Sequence, residues 1–166
     1  MKFRFEEAER AYLQAIEAKP EGFEANFAYG LFNQGLNRFG KARAAYGRCL
    51  EGAKKNGADD ALAQTLNNLG HLDSDQNRPE EARQALQEAL QTYRKLAQTN
   101  PEVYLPKVAD TLYNLGALDS DQNRPEKARQ KYREALRIYE AFAKQNPERF
   151  SSDVARVKGL LEQLPR

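Results

Sequence analysis

Apolar residues recur at steps of three and four along almost the whole chain, and no segment alternates as a half-buried strand would. Leu62, Leu66, Leu69 and Leu72 form one such stripe, and Val108, Leu112, Leu115 and Leu118 form another. Each stripe is followed by a turn ending in Asn-Arg-Pro-Glu. Proline suits the first position of the next helix, and asparagine tolerates a left-handed backbone between the two. Second stripes follow: Ala82, Leu86, Ala89, Leu90, Tyr93 and Leu96, then Ala128, Tyr132, Ala135, Leu136, Tyr139 and Phe142. Asn-Pro is expected to end each of these, because proline pushes the preceding residue out of the helical region. The pattern predicts helices over 4–19, 22–35, 39–55, 59–75, 79–98, 104–121, 125–145 and 152–164.

The stripes are copies of one another. Residues 65–102 align without a gap on 111–148 at an offset of 46, with 25 of 38 positions identical. Leu72 through Glu80 returns unchanged as Leu118 through Glu126. Upstream, Gly30, Asn37 and Ala42 fall 40 residues before Gly70, Asn77 and Ala82, and Ala8, Tyr12 and Ala15 fall 34 before Ala42, Tyr46 and Cys49. The central block keeps its shape while the spacing grows, so length has been added at the end of the second helix. A fixed period of this size is the mark of stacked units, none of which can bury its apolar face alone.

The residues that recur resemble the tetratricopeptide repeat. Its pattern is a Gly in the first helix, Ala twelve residues on, an aromatic four further and a small residue three beyond that. Gly30, Ala42, Tyr46 and Cys49 follow it, as do Gly116, Ala128, Tyr132 and Ala135; Gly70, Ala82 and Ala89 follow it with Leu86 in the aromatic slot. The long second helix and the Leu-Asn-Asn-Leu-Gly block resemble the extended repeats of kinesin light chains. The resemblance implies an all-α, right-handed superhelical solenoid of antiparallel helix pairs. Its units would be a partial repeat over 1–20, repeats over 21–57, 58–100 and 101–146, and a capping helix over 147–166. Two departures stand out. Asn33, Asp73 and Asp119 occupy a slot that usually holds Tyr, with an Arg as the candidate partner. The chain also starts inside a second-type helix, which would leave Phe3, Phe5, Ala8 and Tyr12 uncovered.

In this family the first helices line a concave groove that commonly binds peptides or helices. Counting from the repeat Gly, the resemblance places Phe27, Leu31 and Gln34, then Gln64, Asn67, Asn68 and His71, then Asp110, Tyr113, Asn114 and Ala117 on that surface. Asn68 and Asn114 fall where related repeats hold a peptide backbone, a task suited to an amide that both donates and accepts; satisfying local backbone groups would use the same capacity. Clamps for a terminal carboxylate need Lys or Arg where Phe27, Asn67 and Tyr113 stand. The expected partner is therefore a neutral or basic protein or peptide with an apolar anchor near Phe27 and Leu31. Self-association through the uncovered N-terminal helix, as a homodimer, is the alternative.

Composition narrows the other options. A net charge of +2 with acids and bases interleaved, as in Arg133-Glu134-Ala135-Leu136-Arg137, reads as solvated helix faces and not as a phosphate-tracking stripe. Nucleic-acid binding is not expected, nor is a membrane span. The charged N-terminus does not resemble a secretory signal, so a cytoplasmic location is the default. Asp73-x-Asp75-x-Asn77 and Asp119-x-Asp121-x-Asn123 look like the opening of a calcium loop. They lack its Gly and closing Glu, and so read as structural turns. His71, the only histidine, has no partner placed by a motif, and Cys49 falls in a buried packing slot. No catalytic constellation and no cofactor are predicted.

Overall fold

The computed structural model describes residues 2–165, with side chains from residue 5 onward. Eight helices make up the described chain: α1 (Lys2–Ala18), α2 (Phe23–Gly35), α3 (Phe39–Asn56), α4 (Asp59–Asp75), α5 (Pro79–Ala97), α6 (Pro101–Asp121), α7 (Pro125–Ala143) and α8 (Pro147–Gln163). Each helix packs on its neighbours in sequence, which is the one-dimensional contact pattern of a stack.

Three turns share one chemistry. Asn37, Asn77 and Asn123 have φ of 55, 54 and 55°, in the left-handed region that asparagine visits more readily than most residues. The next amide reaches back across the helix end. Arg38 N donates to Asn33 O, Arg78 N to Asp73 O and Arg124 N to Asp119 O, each at 2.8 Å. These bonds satisfy helix-terminal carbonyls that would otherwise lack a donor.

The Asn-Pro pairs behave differently from expectation. α5 and α7 end at Ala97 and Ala143, before the pairs are reached, and Pro101 and Pro147 open α6 and α8. Asn100 and Asn146 sit at φ −141 and −138°, the extended backbone that a following proline favours. Proline loses nothing at a helix's first position, where its missing N–H would have no partner. Both helices therefore start several residues earlier than the periodicity predicts.

Within each hairpin the repeat Gly is a contact point. A Cβ at Gly30, Gly70 or Gly116 would lie 2.5–2.6 Å from the side chain of Tyr46, Leu86 or Tyr132. Only hydrogen fits there, and the large residue fills the space between the two helices. Tyr46, Leu86 and Tyr132 are accordingly buried.

Between units the contact is polar. Asp73 and Asp119, standing in the usual Tyr slot, each receive an arginine from the second helix of the preceding pair. Arg43 of α3 bonds Asp73 of α4, and Arg83 Nη2 of α5 lies 2.7 Å from Asp119 Oδ1 of α6. The same guanidinium groups also bond Gln76 and Gln122. The carboxylates that open the calcium-like motifs are thus held by arginine. At the first junction the corresponding positions carry Glu9 and Asn33. Glu9 instead accepts from Lys41 at 2.6 Å, Arg38 at 2.8 Å and Tyr29 at 3.0 Å, and Asn33 Oδ1 is buried with no partner among the described residues. At the last junction Arg129 bonds the main-chain oxygen of Pro165.

The ends of the stack are unequal. Phe150 and Val157 of α8 are buried against α7, whereas Glu162, aligned with the repeat Gly, is exposed. A side chain at that position does not allow the close approach seen at Gly116. On α1, Phe5 and Leu13 are 41% and 48% exposed. Tyr12 is not left bare as expected, because Tyr29 and Phe32 of α2 approach its ring at 6.1 and 5.4 Å. Phe3 lies outside the described side chains.

Asp119 is 1% exposed, so removing it strands the Arg83 guanidinium in a largely covered site. Asp119→Ala is expected to cost about 3 kcal/mol in urea denaturation, and replacing both partners by apolar residues should return most of it. A single variant as stable as wild type would show that the junction does not depend on this pair.

Candidate functional site

The first helices α2, α4 and α6 lie side by side and carry a shallow trough made of two depressions. One, of about 370 Å³, is bounded by Leu31, Gln34, Asn67, Asn68, His71 and Asn114. The other, of about 200 Å³, is bounded by Gln64, Asn67, Asn68, Tyr93, Lys107 and Asp110. Asn67 and Asn68 belong to both, which makes the trough continuous.

Side-chain amides dominate its floor. Asn68 Nδ2 donates to the Gln64 carbonyl at 2.9 Å, and Asn114 Nδ2 donates to Asn67 Oδ1 at 3.2 Å. In the free chain, then, both amide nitrogens bond within the trough. The Oδ1 atoms of Asn68 and Asn114 have no hydrogen-bond donor among the described residues and face no competing local bond. At the α2 end, Gln34 Nε2 lies 2.9 Å from His71 Nδ1, while Gln34 Oε1 accepts from Tyr46 Oη at 2.9 Å. His71 Nδ1 is also 3.1 Å from Asp75 Oδ2. That nitrogen accepts from the amide when unprotonated and donates to the carboxylate when protonated.

Phe27 departs from the expected surface. It is only 8% exposed, stacks on Phe23 with centroids 5.1 Å apart and meets Tyr46 at 5.7 Å. Bulk is the reason: an aromatic ring one turn before Gly30 is drawn under α2 to fill the space beside Tyr46. Leu31, at 45% exposed, is left as the apolar contact at that end. Tyr113 occupies the position corresponding to Phe27 and remains half-buried, with Tyr132 at 5.9 Å and the Arg156 guanidinium 4.1 Å above its ring. Ala117 is half-buried on the same helix and lines neither depression.

Tyr93, Lys107 and Arg156 were not anticipated on this surface. Arg156 could have been found, since it stands 46 residues after Asp110, the spacing that superposes the repeats. Lys107, three residues before Asp110, shares its face of α6, and its Nζ pairs with Asp60 at 2.8 Å. Tyr93 arrives from α5, and only the packing of α5 on α6 brings it there.

A larger depression, about 630 Å³, lies elsewhere, on the open flank of α7 and α8 around Ala143, Val154 and Ala155. Size alone does not make it a binding site. Its exposed lining is mainly apolar, and the Glu140 and Lys158 side chains on its rim pair with each other at 2.8 Å, whereas the trough is lined by side-chain amides. Cys49 offers no alternative chemistry: burial pushes its thiol up to about 11, and its Sγ faces the Phe23 carbonyl at 3.8 Å. No group of His, Cys, Asp and Glu able to hold a metal occurs among the described residues, and no described helix is long and apolar enough to cross a membrane.

Family models described as tetratricopeptide repeat match residues 23–95 and 108–141. The chain belongs to the tetratricopeptide repeat family. Among solved structures, BtubC (BKLC) from P. vanneervenii is similar with a TM-score of 0.70 at 19% identity, over 98% of this chain and 76% of that one. PilF of Pseudomonas aeruginosa gives 0.64 at 23%, over 98% and 69%. The MamA protein gives 0.58 at 20%, over 98% and 78%. At these identities the likeness is one of fold. No curated protein sequence matches the chain. Membership in the tetratricopeptide repeat family makes this chain a protein–protein interaction or scaffold module, in a family that is generally non-catalytic.

The Asp110 side chain is exposed on α6, but neighbouring groups crowd its carboxyl and partly strip it of water. Desolvation raises the Asp110 carboxyl above its ordinary value of 3.8, and the bond from Tyr139 Oη to its Oδ1, at 2.5 Å, only partly offsets this. A raised folded-state value means that the ionised carboxylate destabilises the fold above that value. The penalty is relieved as pH falls through it, and is gone below 3.8. Asp110→Asn keeps an acceptor for Tyr139 and is expected to melt above wild type at neutral pH. The gap should close as pH is lowered toward the ordinary carboxylate range, as followed by circular dichroism. A gap independent of pH would mean that the charge is not its source.

Proposed function

We propose that the chain binds an extended segment of a partner protein in the trough formed by α2, α4 and α6. The observation that carries this reading is the run of side-chain amides shared by the two depressions. An extended strand has unpaired N–H and C=O groups at regular intervals, and Asn68 and Asn114 can serve both kinds at once. Their free Oδ1 atoms accept from the partner's amides, and their Nδ2 groups can exchange internal bonds for its carbonyls.

Leu31 supplies the apolar anchor, alone now that Phe27 is in the core. The partner is neutral or basic, because the trough's acids outnumber its free bases and Lys107 is tied to Asp60. A terminal-carboxylate clamp is not supported, since Asn67 and Tyr113 stand where its cations would be. A second reading, self-association, is favoured by the exposed Phe5 and Leu13 on α1. Sedimentation separates the two: a monomer at every concentration removes the dimer.

Asn68→Ala combined with Asn114→Ala is expected to weaken partner capture about tenfold, the loss of one or two hydrogen bonds, while the melting curve stays close to wild type. Partner retention from a lysate, identified by mass spectrometry for both forms, provides the measurement. Equal retention by the folded double variant would move the binding surface elsewhere.

A further inference from the structure

Asp110 differs from the other charges along the trough. Lys107 is matched by Asp60 at 2.8 Å and Arg156 by Asp153 at 2.7 Å, while Asp75 has His71 Nδ1 and Gln34 Nε2 at 3.1 and 3.3 Å. Asp110 forms no ion pair among the described residues. Its Oδ1 accepts from Tyr139, and the side chain is exposed. Arg149 and Arg156 on α8 act on it only from a distance. Arg149 lies over the Phe150 ring at 4.9 Å, and Arg156 is held between Asp153 and the Tyr113 ring.

We infer that Asp110 is a specificity residue, and that the depression of about 200 Å³ around it receives a lysine or arginine side chain of the bound segment. The inference rests on the groove reading above and names the chemistry of one position in it. Charge complementarity is the argument. Lys107, Asp60 and Asp110 together leave one negative charge uncompensated, and a single cation from the partner neutralises it. The seat is narrow, bounded by Gln64, Asn67, Asn68, Tyr93 and Lys107, so it admits one long side chain and no folded element.

Placement supports the same conclusion. Asn67 and Asn68 border this depression and also the one beside Leu31. A main chain held by those amides passes within side-chain reach of Asp110. Apolar side chains gain little at this position, because they would cover the carboxylate without pairing it, and an acidic one would be repelled. The partner's cation supplies the counterion that Asp110 lacks among the described residues.

Two pools of capped nonapeptides, randomised except at the centre, test this. One fixes lysine there and the other fixes norleucine, which has no charge. Immobilised wild-type chain is expected to retain the lysine pool about fivefold better at low salt, and Asp110→Asn to retain the two equally. Equal retention of the pools by wild type, or an unchanged lysine preference in Asp110→Asn, would overturn the assignment of Asp110 while leaving the groove intact. Retention of neither pool by wild type, or undiminished retention of both by the Asn68→Ala, Asn114→Ala variant, would overturn the groove reading and this inference with it.

Discussion

The close approach of two helices at a glycine is the constraint on which the rest of the molecule depends. At Gly30, Gly70 and Gly116 the first helix of a pair comes so near the second that a methyl group would overlap Tyr46, Leu86 or Tyr132. That contact fixes the depth at which the two helices mesh. It also forces the large side chain into the seam between neighbouring pairs, where it becomes shared core. A stack of such pairs has no single centre, and its stability is the sum of pairs and junctions. Asp73 and Asp119 then determine how one pair sits on the next. An arginine reaching forward from the preceding unit replaces an aromatic contact with a directional, charge-assisted bond.

The trough follows from this arrangement. Because α2, α4 and α6 bury one apolar stripe each, as with Leu66, Leu69 and Leu72 or Val108, Leu112 and Leu115, their other faces are free to be polar, and they carry Asn, Gln, His and Asp. These side chains bond one another or, in the case of Asn68, a carbonyl of their own helix at lengths of 2.9–3.3 Å, so the surface is organised before any partner arrives. Preorganisation of this kind lowers the entropy lost on binding, since few side chains have to be newly ordered.

Electrostatics gives the trough a direction. At one end Leu31 stands beside the Gln34–His71–Asp75 cluster, and at the other Asp110 stands unpaired beside a neutralised Lys107. An extended guest would therefore meet unlike chemistry at its two ends. The Arg156–Tyr113 stack lies on the α8 side, with the guanidinium bonded to Asp153.

The helical architecture was legible in the sequence because it is written in local terms: a period of three and four, proline and asparagine at turns, and a near-duplicate 46 residues on. The groove positions could be counted from the repeat glycine for the same reason, and an arginine partner for Asp73 and Asp119 could be named before it was seen. Tertiary packing decided what counting could not. Phe27, Asn67 and Tyr113 hold one repeat position and meet three fates, because the neighbours that cover them come from other helices. Asn-Pro fits the end of one helix as well as the start of the next, and it stands at the start because α5 and α7 have already ended at Ala97 and Ala143. Asp110 forms no ion pair among the described residues, while Arg156, 46 residues on, bonds Asp153 and acts on Asp110 only from a distance; that relation exists only once α8 is laid against its neighbours.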